Sequence, residues 1–116
     1  MKFTIQGRLD GLNDYISANR ANRFKGAQMK KDNEELVMLS VKEKKIKKPV
    51  KITFRWYEKN SRRDMDNIAF AKKFILDALV KKGVLQDDGW KWVRGFKDEF
   101  YIDKDNPRIE VELEEV

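Results

Sequence analysis

The chain has 116 residues, 26 Lys+Arg against 20 Asp+Glu, a net charge of +6, and neither histidine nor cysteine. That excludes disulfides, thiol nucleophiles and cysteine zinc sites, and removes the usual neutral-pH base and the commonest zinc ligand. Chemistry in such a chain must come from carboxylates, lysines, hydroxyls or a hard metal ion. With 41% hydrophobic and 11% aromatic residues it is too apolar to stay disordered. Its length suits one domain over 1–116. No apolar run approaches the roughly 20 residues of a membrane span, and the N-terminus lacks the apolar run of a signal peptide, so the expectation is a soluble cytoplasmic protein. Charge is uneven: residues 1–83 hold 21 Lys+Arg against 10 Asp+Glu, and residues 84–116 hold 5 against 10. A basic face for a polyanion competes here with an ordinary solvated surface that ends in an acidic strand.

In chain order, Phe3 and Ile5 alternate with polar neighbours and predict a strand over about 2–8, followed by a turn at Asp10-Gly11. Helical spacing begins at Leu12, Tyr15 and Ile16. Gly26 is expected to interrupt it before a second helix from about Ala27 through Leu36, Leu39 and Val41. The lysine-rich run from Lys42 to Pro49 reads as a polar link. Residues 50–58 form the clearest strand, with Val50, Ile52, Phe54 and Trp56 on one face and Lys51, Thr53, Arg55 and Tyr57 on the other. A helix is expected from Met65 to Lys82, stopped by Gly83. Strands follow at 91–101, with a bulge at Gly95, and at 107–115, with Ile109, Val111 and Leu113 inward. This order implies an α+β fold: one domain with a small mixed sheet packed by helices.

The most informative stretch is Arg62-Arg63-Asp64-Met65-Asp66-Asn67, with Asp87-Asp88 about twenty residues later. If the helix entry is extended, Asp64 and Asp66 project to one side, and a carboxylate from 87–88 folding back beside them would complete a site. Converging carboxylates repel unless a cation lies between them, and Mg²⁺ takes one or two carboxylates plus substrate phosphates. Against this stand plain roles: an Asp before a helix is an ordinary N-cap, and Asp87-Asp88-Gly89 an ordinary turn. At 100° per residue Asp66, Lys73 and Asp77 share one narrow polar stripe, expected to line a cleft, whereas Lys72 falls among Leu76 and Leu79 and must snorkel. Lys73 is therefore the candidate catalytic lysine.

At these residues the chain resembles the RusA family of Holliday junction resolvases. The matching features are Arg62-Arg63-Asp64-Met65-Asp66-Asn67, a lysine-bearing helix ending in Asp77-Ala78-Leu79, then Gly83 and Asp87-Asp88. The resemblance implies a RusA-like homodimer: a Mg²⁺-dependent endonuclease (Mn²⁺ as substitute) that resolves four-way DNA junctions by paired symmetric nicks in recombination and repair. It puts metal-binding and catalytic roles on Asp64, Asp66 and Asp88, with Asp87 as neighbour. The family's lysine falls on Lys73 counted back from Asp77, and on Phe70 counted forward from Asp66. The segment from Asn13 to Lys31 lacks the proline-rich start of better-known members and is closer to Gram-positive bacterial or phage relatives. A dimer suits a junction of approximate two-fold symmetry.

For DNA contact, Arg62 and Arg63 stand nearest the acids, with salt bridging to those acids as the plain alternative. Arg20, Arg23, Lys25, Lys30 and Lys31 form a second basic cluster. Trp90 and Trp92 flank Lys91, placed either to stack on an unpaired base or to pack in the core. The functional rivals are a non-catalytic protein that binds branched DNA and a structural protein whose aspartates only cap a helix.

Overall fold

The computed structural model describes residues 1–42 and 45–116. Among them the elements run β1 (Lys2–Gln6), α1 (Leu12–Ala21), α2 (Arg23–Ser40), β2 (Val50–Glu58), α3 (Met65–Ala69), α4 (Lys72–Lys81), β3 (Val93–Ile102) and β4 (Arg108–Glu115). The strands form one sheet in the order β1-β4-β2-β3. β4 is antiparallel to both β1 and β2, and β3 runs parallel to β2. The sheet is thus mixed, as expected, with β1 and β3 at its edges. The expected link at 42–49 includes residues 43–44, which lie outside the described residues.

Alternation sets the layers. Phe3, Ile5, Ile52, Phe54, Trp56, Ile109, Val111 and Leu113 are buried on one sheet face, where Phe74, Ile75, Leu76, Ala78 and Leu79 of α4 join the same core. Burying each large apolar side chain stabilises by about 2 kcal/mol. The other face is charged. Arg55 bridges Glu99 on β3 and Glu112 on β4, both at 3.0 Å. Tyr57 stacks on Tyr101 at 4.8 Å, with the Arg108 guanidinium 3.7 Å from the Tyr57 ring centre. A hydrogen bond from the Tyr101 hydroxyl, then Lys97, holds the Glu99 carboxyl below its ordinary value of 4.5, and Arg108 holds Asp103 below 3.8. Carboxyls with depressed folded values stabilise above the unfolded pKa, and that support is lost as pH falls through the folded values. Melting temperature should therefore drop on acidification below about pH 4.5, and less so in a Glu99→Gln, Asp103→Asn double variant.

Two expectations are corrected. The first helical break falls at Asn22, not at Gly26. Asn22 is extended and its Oδ1 accepts from the Lys25 N–H at 2.9 Å, so it caps α2. Gly26 sits inside α2, where α1 crosses so closely that a Cβ would meet Asn19 Oδ1 at 2.0 Å. The predicted helix over 65–82 is two pieces. At the joint, Ala71 N bonds Ile68 O at 3.2 Å and Lys73 N bonds Phe70 O at 3.0 Å, a tightening to three-residue spacing. Tighter winding advances each residue by more than 100°, so a phase counted from Asp66 is wrong beyond Phe70. Gly83 (φ +81°) ends α4 as expected, and Gly95 lies at a register shift where β3 carries an extra residue against Val50-Lys51.

No helix among the described residues is long and apolar enough to cross a membrane.

Candidate functional site

β2 ends at Glu58, and its period of two carries this acid onto the buried face beside Trp56. A buried acid needs a cation, and Arg63 supplies it. The guanidinium meets both carboxylate oxygens, at 2.9 and 2.8 Å, and also donates to the Leu9 carbonyl at 3.1 Å. The Asn60 side chain accepts from Arg62 N at 3.0 Å and shapes the loop between. Arg63 thus fastens the loop to the end of the sheet and to the segment after β1, while Arg62 points its charge outward, exposed.

Asp64 follows in extended conformation (φ −71°, ψ 154°) at the entry to α3. The capping alternative does not hold for it, because its side chain makes no cap hydrogen bond. Asp66 Oδ1 accepts from Asn67 N at 3.0 Å. Both residues are solvent-accessible, and among the described residues neither forms an ion pair. Their oxygens are hard donors of the kind Mg²⁺ takes.

Asn67, the last residue of the acidic motif, has a structural role that sequence reasoning missed. It is buried, and its Oδ1 accepts from Asn13 N at 2.8 Å in the first turn of α1. Gly11 is required beside it, since a Cβ there would meet Asn67 Oδ1 at 2.6 Å. Asn67→Ala removes this cap and should lower stability by about 1–2 kcal/mol in urea unfolding.

The expectation that a carboxylate from 87–88 folds back beside Asp64 and Asp66 is not met. Among the described residues no three acidic side chains gather to hold a metal ion. Asp64 lines a groove with Phe100, Tyr101 and Ile102 at the end of β3. Asp88 lines another with Trp90, Val93, Arg94, Gly95 and Phe96 at its start. On the order of 20 Å of extended strand separates the two. The reason is topological: the chain leaves the end of β2, returns along α3 and α4, and must re-enter the sheet beside Val50 to start a parallel strand. Asp88 and Gly89 lie in a bend, and the hydrogen-bonded turn follows them: the Gly89 carbonyl accepts from Trp92 N and Val93 N at 3.0 and 2.9 Å.

The lysines are also rearranged. Lys72, with its side chain only 18% exposed, reaches the sheet and donates to Asp98 at 2.6 Å, over the rings of Phe54 and Phe96. Trp56 Nε1 donates to the other Asp98 oxygen at 2.8 Å. Lys73 is 59% exposed and pairs with Asp77 at 3.2 Å. The stripe from Lys73 to Asp77 therefore runs beside α2, where Lys30 meets Asp77 at 3.1 Å. Asp77 raises the Lys30 pKa through that hydrogen bond. Of the remaining basic candidates Arg23 and Lys31 are exposed, Arg23 lying 5.4 Å from the Phe24 ring centre. Trp90 is 94% exposed.

Compared with known proteins, the chain matches the family model described as endodeoxyribonuclease RusA over residues 18–114. No curated protein matches it. The matched span takes in Arg62 to Asn67, the lysines of α4 and Asp87-Asp88.

Proposed function

The chain belongs to the RusA family of endodeoxyribonucleases, and from that premise we propose that it is a homodimeric, divalent-cation-dependent resolvase of four-way DNA junctions. The observation that carries this is the pair Asp64 and Asp66. Both are solvent-accessible, free of ion pairs among the described residues, and set beside the outward Arg62 on a loop locked by Arg63 and Glu58. Mg²⁺, or Mn²⁺ in its place, would be held by these carboxylates and would orient the attacking water and offset charge on the scissile phosphate. The chain's own residues then divide the work. Arg62 holds the backbone near the acids. Arg63 keeps the loop in place and is not free for phosphate. Lys73 has an exposed ammonium whose one ion-pair partner among the described residues is Asp77, so it is the lysine available to a phosphate oxygen, whereas Lys72 is committed to Asp98. Arg23 and Lys31 are available to an arm of the junction, with Lys30 engaged by Asp77.

Asp88 enters through the dimer. Among the described residues β3 pairs on one side only, and Phe96 and Ile102 on it are 49% and 60% exposed. Two copies meeting about a two-fold axis with antiparallel β3 strands would set the start of one strand against the end of the other. Asp88 of the partner subunit would then approach Asp64 and Asp66. A mixture of Asp66→Asn and Asp88→Asn chains tests this. Shared sites predict that each variant alone is inactive and that the mixed dimer regains one intact site and nicks one strand. Sites built within one chain predict no recovery.

The experiment for the function as a whole is a synthetic four-way junction incubated with and without Mg²⁺. Symmetric paired nicks, present only with the cation, are expected. Binding with no cleavage under any divalent cation would instead support the non-catalytic reading.

A further inference from the structure

Beside the groove that Asp64 lines there is a second one of about 430 Å³, lined by Gly7, Arg8, Glu58, Lys59, Arg62 and Arg63 among others. The two share Glu58, Asn60 and Arg63, so they adjoin along the loop that presents Asp64. Glu58 is neutralised by Arg63. That leaves Arg8, Lys59 and Arg62, all exposed, and none forms an ion pair among the described residues. Elsewhere on the surface many cations are matched: Lys30, Arg55, Lys72, Lys73, Lys97 and Arg108 each have an acid. Three unmatched cations around one concavity repel one another, a cost that an anion placed between them reverses.

The backbone shows how they are brought together. Gly7 adopts φ +80°, a conformation that side-chain-bearing residues rarely take, and its N–H bonds the Pro107 carbonyl at 2.9 Å. β1 is thereby turned at its end, so that Arg8 faces the loop after β2. Arg63 then ties that segment to the loop through the Leu9 carbonyl. Two chain segments some fifty residues apart are held so that their free cations share one groove.

We propose that Arg8, Lys59 and Arg62 form a cradle for consecutive backbone phosphates of the nucleic acid strand entering the Asp64–Asp66 site, which makes Arg8 and Lys59 positioning residues. This rests on the nuclease reading for the strand's destination, though not for the binding itself. The cradle takes phosphodiesters in any sequence, because it offers charge and no group shaped to read a base.

The test is binding to a four-way junction and to plain duplex in EDTA, from about 50 to 200 mM salt, for Arg8→Gln, Lys59→Gln and Lys97→Gln. Lys97 pairs with Glu99 on the charged sheet face, so its loss changes net charge equally without touching the groove. Arg8→Gln and Lys59→Gln should each weaken binding several-fold and lower the salt slope by about 1. Lys97→Gln should leave the slope unchanged, and melting temperatures should match throughout. Equal slopes in all three variants overturn the cradle. If the parent protein fails to nick junctions with Mg²⁺ while the two slopes still fall, the nuclease reading fails and the cradle stands. Nicking with unmoved slopes means the reverse: the nuclease reading stands and the cradle is overturned.

Discussion

Asp66→Asn should reduce Mg²⁺-dependent nicking of a four-way junction by roughly a hundredfold or more, since even residues that only support a metal ligand typically cost ten- to a hundredfold. Binding in EDTA should hold or tighten slightly, because a negative charge beside the DNA backbone is removed. The melting temperature should not move: asparagine keeps an oxygen to accept from Asn67 N, the one hydrogen bond the Asp66 side chain makes among the described residues. Asp64→Asn should behave alike, its carboxylate making no cap bond to lose. These substitutions separate three readings. A catalytic pair loses cleavage and keeps stability, a helix-capping pair loses stability, and a pure binding protein has no cleavage to lose. Gel assays on a labelled junction and a thermal melt of the same preparations decide between them.

Arg63→Ala should be the most damaging single change near the site, through folding and not through DNA contact. It leaves Glu58 without its bidentate partner and the Leu9 carbonyl without its donor. Both partners are little exposed, at 13% and 11% for their side chains. Removing one side of such a pair costs about 3 kcal/mol, a large share of the roughly 5–15 kcal/mol that holds a domain together. Arg62→Ala, one residue away and exposed, should leave stability unchanged and weaken binding alone. Replacing Glu58 together with Arg63 by apolar residues should recover much of the lost stability, because no charge is then stranded, but should not recover activity if the loop no longer presents Asp64. Urea unfolding beside junction binding distinguishes this account from one in which Arg62 and Arg63 are equivalent phosphate contacts.

The α+β architecture was legible in the sequence because alternation is a strong signal: β2 begins at Val50 and ends at Glu58, the span its alternation predicts. The same alternation carries a further message, since position 58 continues the inward series and an inward acid calls for a cation nearby in space. The helix after Asp64 was legible as helix but not in phase. Its winding tightens at Phe70-Ala71, and no residue there marks the change as proline or glycine would. Lys72 and Lys73 were therefore assigned from an angle that the joint had shifted, although Lys73 remains the exposed one. Gly26 misleads because a glycine can serve close helix crossing as well as helix ending, and only the neighbouring Asn19 settles which. The separation of Asp88 from Asp64 follows from β2 and β3 being parallel, and strand direction is not written in either strand's residues.

That parallel pair also bears on how cutting is kept in check. If the metal needs Asp88 as well as Asp64 and Asp66, acids posted at opposite ends of one strand would leave a solitary molecule with an incomplete set at either end. With shared sites, encounter with a second molecule arms both ends at once, and the two openings face the substrate together. Output would then climb with the square of concentration when copies are scarce, so a few stray molecules would leave chromosomes untouched. A junction that recruits two of them would supply the crowding that cutting needs.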